Sequence, residues 1–594
     1  MMETKIFWEK CRLRKGKIRG KIRLLALAAF FILLAGCGGN GGSKEEFSAY
    51  LNQIFRSEVT GSTLNMHYNL AHPENYGITD YKVTYGNVSA GRDTEAAAVL
   101  ENWKKNLKRF RKKDLPVSQQ MAYDILEDYI LQELPAGKFS LYQEILKPST
   151  GFQSQLPVLL AEYKFYDEKD VQDYLELMAE TPALFRKIMD LERIKAEKGL
   201  FMADFAVDDV VAQCRSFTQD PANNYLLSTF DDRVDEAGFL TPEQAEQYKQ
   251  VNRQIVTGEM VPAYQRLAEE LSALKGSGKN SGGLCGLKGG REYYEYLVKD
   301  TTGSGMSVEE MQAQTEAQRK QDLAELAQIA KNHPDIGQKC VNYQLPTEEP
   351  ELILKDLQRK MQQDFPSPPE VSFQVKEVHP SLEEYTAPAF YLTPPIDDVS
   401  QNCIYINKSK GDEKIQLYTT LAHEGFPGHL YQTTGSYQAK LSPIRALLNY
   451  SGYVEGWATY VEMLSYQYAG LDENTAQMLM LNQSALLSLY ASVDMGIHYD
   501  GWNFADTTIF LNSFGIKDTE VIRSIFELIV EEPSHYLKYY IGYLEFLELK
   551  NYAKTEFGSD YSNRNFHQAI IQIGPAPFEI IKEYLKDFYA SSNP

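Results

Sequence analysis

The sequence predicts a mainly α fold with a small β-sheet, on two observations. Apolar residues fall at helical spacing from residue 44 to about 275, and again from Gln416 nearly to the end. Between these tracts the period changes. Val371, Phe373, Val375 and Val378 mostly alternate with polar residues, and Cys403-Ile404-Tyr405-Ile406 is a short β-prone run. Strands are therefore expected at 371–379 and 402–407, just upstream of the helix that carries the sharpest motif. At 594 residues the chain exceeds one ordinary core and implies several lobes.

Taken in order, residues 1–36 stand apart. Nine Lys and Arg lie between Lys5 and Arg23, and an apolar run follows from Leu24 to Leu34. This is the pattern of a secretory signal peptide. Eleven apolar residues are too few to cross a bilayer core of about 30 Å. Leu34-Ala35-Gly36-Cys37 resembles a bacterial lipobox. That resemblance implies cleavage before Cys37, lipid on its thiol, and an extracytoplasmic protein anchored to the membrane. Residues 37–43 then read as a lipidated, glycine-rich tether. Removing residues 1–36 takes away nine of 60 basic and two of 81 acidic residues, leaving a net charge of −28. So acidic a chain is a poor partner for nucleic acid or for anionic lipid headgroups. Acylation, not charge, would hold it at the membrane.

Residues 44–290 form an N-terminal helical region. Val171–Met189 and Pro242–Lys275 carry helical periodicity, and Thr241-Pro242-Glu243-Gln244 is a helix start with Thr as cap and Pro at the first position. The glycine-rich stretch 276–290 makes a loop or boundary. Residues 291–594 form the second region. There Ser307-Val308-Glu309-Glu310 is a capping box that opens a helix to about Asn332. After removal of Cys11 and acylation of Cys37, Cys214, Cys285, Cys340 and Cys403 remain. Without a CxxC pair a thiolate zinc site is disfavoured, and the wide spacing fixes no disulfide pairing.

Five of nine histidines fall between 423 and 567. The strongest signal is His423-Glu424-Gly425-Phe426-Pro427-Gly428-His429. In zinc hydrolases two imidazoles bind the metal and the Glu after the first acts as base. Here the histidines are six apart, about 120° apart on an ideal helix. A straight helix cannot aim both at one metal. Pro427 removes a helical hydrogen bond and Gly428 relaxes the backbone, so this pair is expected to install a kink or bulge. The alternative is two satisfied histidines beside an ordinary Pro-Gly turn. Glu455 follows amid apolar and aromatic residues, where a carboxylate needs a cation or hydrogen bonds. Glu462, two turns on, is placed to orient a ligand.

His-Glu-Gly-Phe-Pro-Gly-His followed by Glu-Gly-Trp-Ala-Thr-Tyr-Val-Glu resembles the bacterial family called domain of unknown function 885. It is also similar in plan to the gluzincin metallopeptidases. That resemblance implies a large helical, peptidase-like fold with a deep cleft. It implies one Zn2+ on His423, His429 and Glu455, with Glu424 as catalytic base. Asp494-Met495-Gly496-Ile497-His498, the Pro533–Gly542 element with Tyr539, and Phe566-His567 resemble further segments of the family. Tyr539 and His498 are the expected oxyanion donors, with His567 and Tyr536 behind them. His535 receives no role. Lys550 stands where the family pattern has Arg, which weakens any bidentate carboxylate contact. The implied function is a membrane-anchored zinc metallopeptidase acting on short peptides, a strand-forming substrate adding to 371–379 or 402–407. Two alternatives remain: a non-catalytic peptide- or metal-binding lipoprotein, and a zinc hydrolase of a non-peptide amide or ester.

Overall fold

The computed structural model describes residues 42–592 apart from 90–91, 379–382, 384–386, 411–413 and 449. The expected signal peptide, Cys37 and most of the tether lie outside the described residues.

The architecture is mainly helical with one three-stranded sheet. Helices begin where the local chemistry says. The Ser307 hydroxyl accepts from the Glu310 N–H while the Glu310 carboxylate accepts from the Ser307 N–H, and Val308–Asn332 follows. Thr241 and Gln244 do the same for Pro242–Ile255. Two helical tracts are broken by proline. Val171–Met189 divides into Glu168–Ala179 and Thr181–Glu197, with Pro182 in the first turn of the second. Pro242–Lys275 is interrupted by a π turn at Val256–Met260, next to Pro262, which has no N–H to continue an α ladder.

Seven helices bear on the site: α1 (Gly290–Thr302), α2 (Lys414–Glu424), α3 (His429–Gln438), α4 (Ser451–Ser465), α5 (Glu473–Met495), α6 (Leu537–Phe557) and α7 (Asn563–Ile573). The strands are β1 (Phe373–Glu377), β2 (Ala389–Leu392) and β3 (Asn402–Ile406), in the order β1-β3-β2. β1 runs parallel to β3 and β2 antiparallel to it. β3 is therefore central, with both edges paired, and cannot take an added substrate strand at 402–407 as the sequence suggests. β2 escapes sequence reading because all four residues are buried, which erases the alternation that marks a strand.

The sheet is a wall between two apolar cores. Successive side chains of a strand point to opposite faces. Tyr391 and Ile404 accordingly enter one core, and Phe390, Leu392 and Tyr405 the other. The first core joins Phe47, Ile125 and Leu126 to Tyr453, Trp457 and Leu544. The second is built from helices between Leu64 and Leu271. A third, smaller core packs the end of α5 against Ile522, Ile525 and Ile529. Among the described residues no disulfide joins Cys214, Cys285, Cys340 or Cys403, and no described helix is long and apolar enough to cross a membrane.

Candidate metal centre

The histidine motif sits on two helices rather than on one kinked helix. α2 ends at Glu424 and α3 begins at His429. The Gly425 N–H still bonds back to the Leu421 carbonyl at 2.8 Å, and the Gln432 N–H to the Gly428 carbonyl at 2.8 Å. Between them the chain turns too tightly for a side chain at 428. A Cβ there would lie 1.9 Å from the His423 carbonyl oxygen. The Trp457 indole N–H donates to the Pro427 carbonyl at 2.9 Å, so α4 fastens the turn. The same helix, half a turn earlier, carries Glu455.

This arrangement brings His423, His429 and Glu455 together, one donor atom from each within 4.8 Å of the others. Glu455 Oε2 lies 3.7 Å from His423 Nε2 and 3.6 Å from His429 Nε2. Two donors on a tetrahedral zinc, with bonds of about 2.0–2.1 Å, stand about 3.4 Å apart. Glu424 Oε1 is 3.9 Å from His423 Nε2, while its Oε2 accepts the Tyr391 N–H of β2 at 2.9 Å. On the far side of the ring, His423 Nδ1 meets Glu462 Oε2 at 3.0 Å. That bond leaves Nε2 turned toward the other donors. All five side chains are buried. Burial alone would lower the pKa of His423, but the nearby Glu455 carboxylate, the hydrogen bond to Glu462 and the charge of Glu424 outweigh it and raise it. Three buried carboxylates around two imidazoles are costly without a cation. A divalent metal fits both the donor chemistry and that charge.

The model of a family described as bacterial protein of unknown function (DUF885) matches residues 73–585. The chain belongs to this family. No curated protein matches the sequence. Among solved structures, a Colwellia psychrerythraea protein described provisionally as a lipoprotein superposes with a TM-score of 0.80 at 17% identity, over 92% of this chain and 99% of that one. A Shewanella oneidensis protein, described provisionally as a lipoprotein of unknown function, gives a TM-score of 0.62 at 17% identity, over 92% and 100%. These likenesses bear on the fold.

The other family segments of this DUF885 chain divide into those at the centre and those behind it. The Tyr539 ring on α6 is 6.4 Å from that of His423 and partly exposed. It is set there because α6 and α4 cross with their backbones almost touching, at Gly542 and Gly456. His498 is not free to serve as an oxyanion donor. Its Nδ1 accepts the Leu284 N–H at 3.1 Å and its Nε2 bonds the Ile529 carbonyl at 2.8 Å, which commits both nitrogens to main chain. Burial lowers its pKa to about 4. His567 is likewise structural, bonded to the Tyr460 hydroxyl at 2.8 Å and the Asp364 carbonyl at 2.7 Å. Tyr536 packs against Tyr490 and His535 in the interior. Lys550 donates to the Tyr460 hydroxyl at 2.8 Å rather than to a carboxylate, and burial lowers its pKa to about 8.

The residue that sequence reading left without a role is His535. Its buried ring lies 5.6 Å from that of Tyr539. Burial first, then the charges of Lys538 and Lys147, push its pKa well down, against the pull of Glu455. Its surroundings thus disfavour the charged imidazolium beside Tyr539. Only its place four residues before Tyr539, one helical turn, hinted at this.

Proposed function

We propose that this chain is a zinc-dependent peptidase with Zn2+ held by His423, His429 and Glu455. The observation that carries the reading is the placement of Glu424. A metal-storage or peptide-capture site has no use for an extra carboxylate, yet Glu424 is buried beside the ligand set and fixed by a strand N–H. When bound, zinc supplies Lewis acidity toward a carbonyl and lowers the pKa of water toward neutrality. Glu424 takes a proton from the attacking water and delivers it to the leaving amine. Tyr539 donates to the carbonyl oxygen as charge develops there, with His535 at its side. Glu462 holds His423 in the tautomer that leaves Nε2 free. An extended peptide adds along the outer edge of β2, the edge from which Tyr391 reaches Glu424.

The fold is gluzincin-like in plan, and a cleft at the centre selects short peptides. The lipobox-like Leu34–Cys37 places the mature protein outside the cytoplasm, anchored by lipid on Cys37. The provisional description of both structural neighbours as lipoproteins agrees with that reading.

The test is elemental mass spectrometry on soluble protein beginning at Ser43, wild type and Glu455→Ala, followed by a peptide-library screen with Glu424→Gln as control. Stoichiometric zinc lost in Glu455→Ala, with cleavage lost in Glu424→Gln, is the expected result. Absence of metal from both proteins after zinc addition overturns it. Cleavage of esters but not peptides would move the assignment to the non-peptide hydrolases.

A further inference from the structure

Ser534 has a backbone φ of +62°, in the left-handed region that a residue with a Cβ rarely adopts. It is not a surface turn, since Ser534 is 1% exposed. Such outliers persist only where surrounding structure imposes them, and they gather at functional sites.

Three contacts impose this one. The Ser534 N–H donates to Asp494 Oδ1 at 3.0 Å. The same oxygen accepts the Tyr294 hydroxyl at 2.6 Å. The Ser534 hydroxyl shares a hydrogen bond with the Thr301 hydroxyl at 2.9 Å. Asp494 belongs to α5, and Tyr294 and Thr301 to α1. The next residue is His535, and α6 starts at Leu537 with Tyr539 in its first turn. The backbone angle at 534 therefore sets the direction in which His535 and the start of α6 leave the core.

Asp494 is fully buried, forms no ion pair among the described residues, and its Oδ2 meets no hydrogen-bond donor among them. Burial pushes the carboxyl up to about 7, against the Tyr294 hydroxyl and the N–H groups of Ser534 and Tyr536. A buried carboxyl is an expensive filler, and its service here goes to the main chain that enters α6.

We propose that Asp494 is a positioning residue: by holding Ser534 in left-handed backbone it sets His535 and Tyr539 against the His423, His429 and Glu455 cluster. The inference rests on reading that cluster as a hydrolytic centre. It also divides the labour of the Asp494–His498 segment. Asp494 acts on the centre through backbone, and His498 ties the 283–284 loop to the same helix end.

The test compares zinc content, kcat and KM of wild type, Asp494→Ala, Asp494→Asn and the double variant Asp494→Ala with Ser534→Gly. Asp494→Ala is expected to lower kcat by about 10- to 100-fold with KM and zinc content little changed. Asp494→Asn keeps an acceptor oxygen and most of the activity. Glycine at 534 adopts positive φ without steric cost, so the double variant regains much of the lost kcat. An unchanged kcat in Asp494→Ala, or a loss that glycine does not relieve, overturns the proposal. If Asp494→Ala does not fold, Tyr294→Phe, which removes one donor to Oδ1, gives a smaller loss of kcat at constant KM, and an unchanged kcat there overturns it equally. Crystal structures supply a readout without turnover. Loss of positive φ at 534 with displacement of the Tyr539 ring in Asp494→Ala (or Tyr294→Phe) supports the proposal, and an unmoved ring refutes it. A wild-type protein inert toward every peptide would count against the hydrolytic reading, while the crystallographic comparison would still decide the positioning role.

Discussion

Glu462 and His423 show how a single hydrogen bond orients the centre. The imidazole has two nitrogens, and the 3.0 Å contact to Glu462 decides which one faces inward. Glu462→Ala is therefore expected to weaken zinc binding by about 10- to 100-fold, measured by competition with a chelator of known affinity. Equal affinity in wild type and variant would remove the orienting role. Two other histidines make a prediction about acidity. His498 and His567 are fully buried with pKa values lowered to about 4 and about 3. An unfolded histidine takes its proton near pH 6.5. Between there and pH 4 the unfolded state binds more protons than the native one, so stability falls as pH falls. Each group contributes about 1.4 kcal/mol per pH unit across its window. The difference in stability between wild type and His567→Gln, followed by denaturant melts from pH 7 to pH 4, should shrink on acidification. At this scale the grouping of His423, Glu424, His429 and Glu455 was legible in the sequence, since the motif spacing predicts that they meet. The sequence was silent on His535, whose neighbours come from distant segments, and it offered His498 for a place that main-chain hydrogen bonds exclude.

The crossing of α4, which carries Glu455 and Glu462, with α6, which carries Tyr539, depends on missing side chains. A Cβ at Gly542 would lie 2.4 Å from the Gly452 carbonyl oxygen and 2.7 Å from Gly456 Cα. Gly542→Ala must push α6 away from α4, and Tyr539 moves with it. The expected cost is about 1–3 kcal/mol of stability together with a fall in kcat, read from a denaturant melt and a rate assay on the same preparation. A variant with wild-type stability and rate would show that the crossing tolerates separation. Element boundaries were readable where a cap or a proline states them, as at Ser307 and Thr241. The short strand β2 was not, because burial on both faces removes its pattern. The break at Pro427-Gly428 was foreseen as a kink or bulge; that one helix ends and another begins there, with the turn bonded by Trp457 from α4, was not.

At the scale of the whole molecule, the centre's core is not local in sequence. Phe47, Phe55, Ile125 and Leu126 share one apolar cluster with Tyr453, Trp457 and Leu544. Lys147 and Thr150 bond the Glu532 carboxylate, two residues before the strained serine. A fragment comprising 291–594 loses those partners and exposes the apolar face they cover. It is expected to aggregate or to unfold without a cooperative transition, checked by size exclusion and circular dichroism beside residues 43–594. A monomeric, cooperatively folding fragment would contradict this. The glycine-rich 276–290 stretch was correctly legible as a break in helix. That residues 47–130 pack with the distant half was not, because periodicity tells which face is buried but not against what.

The bond from Trp457 to Pro427 has one more consequence. Residues 43–594 hold three tryptophans, at 103, 457 and 502, and of these the indole of Trp457 hydrogen-bonds the turn between the two histidines. Its emission colour is therefore tied to the state of that turn. With the other two replaced by phenylalanine, the centre would carry an intrinsic fluorophore, through which loading and stripping of zinc become visible as a spectral shift in a cuvette.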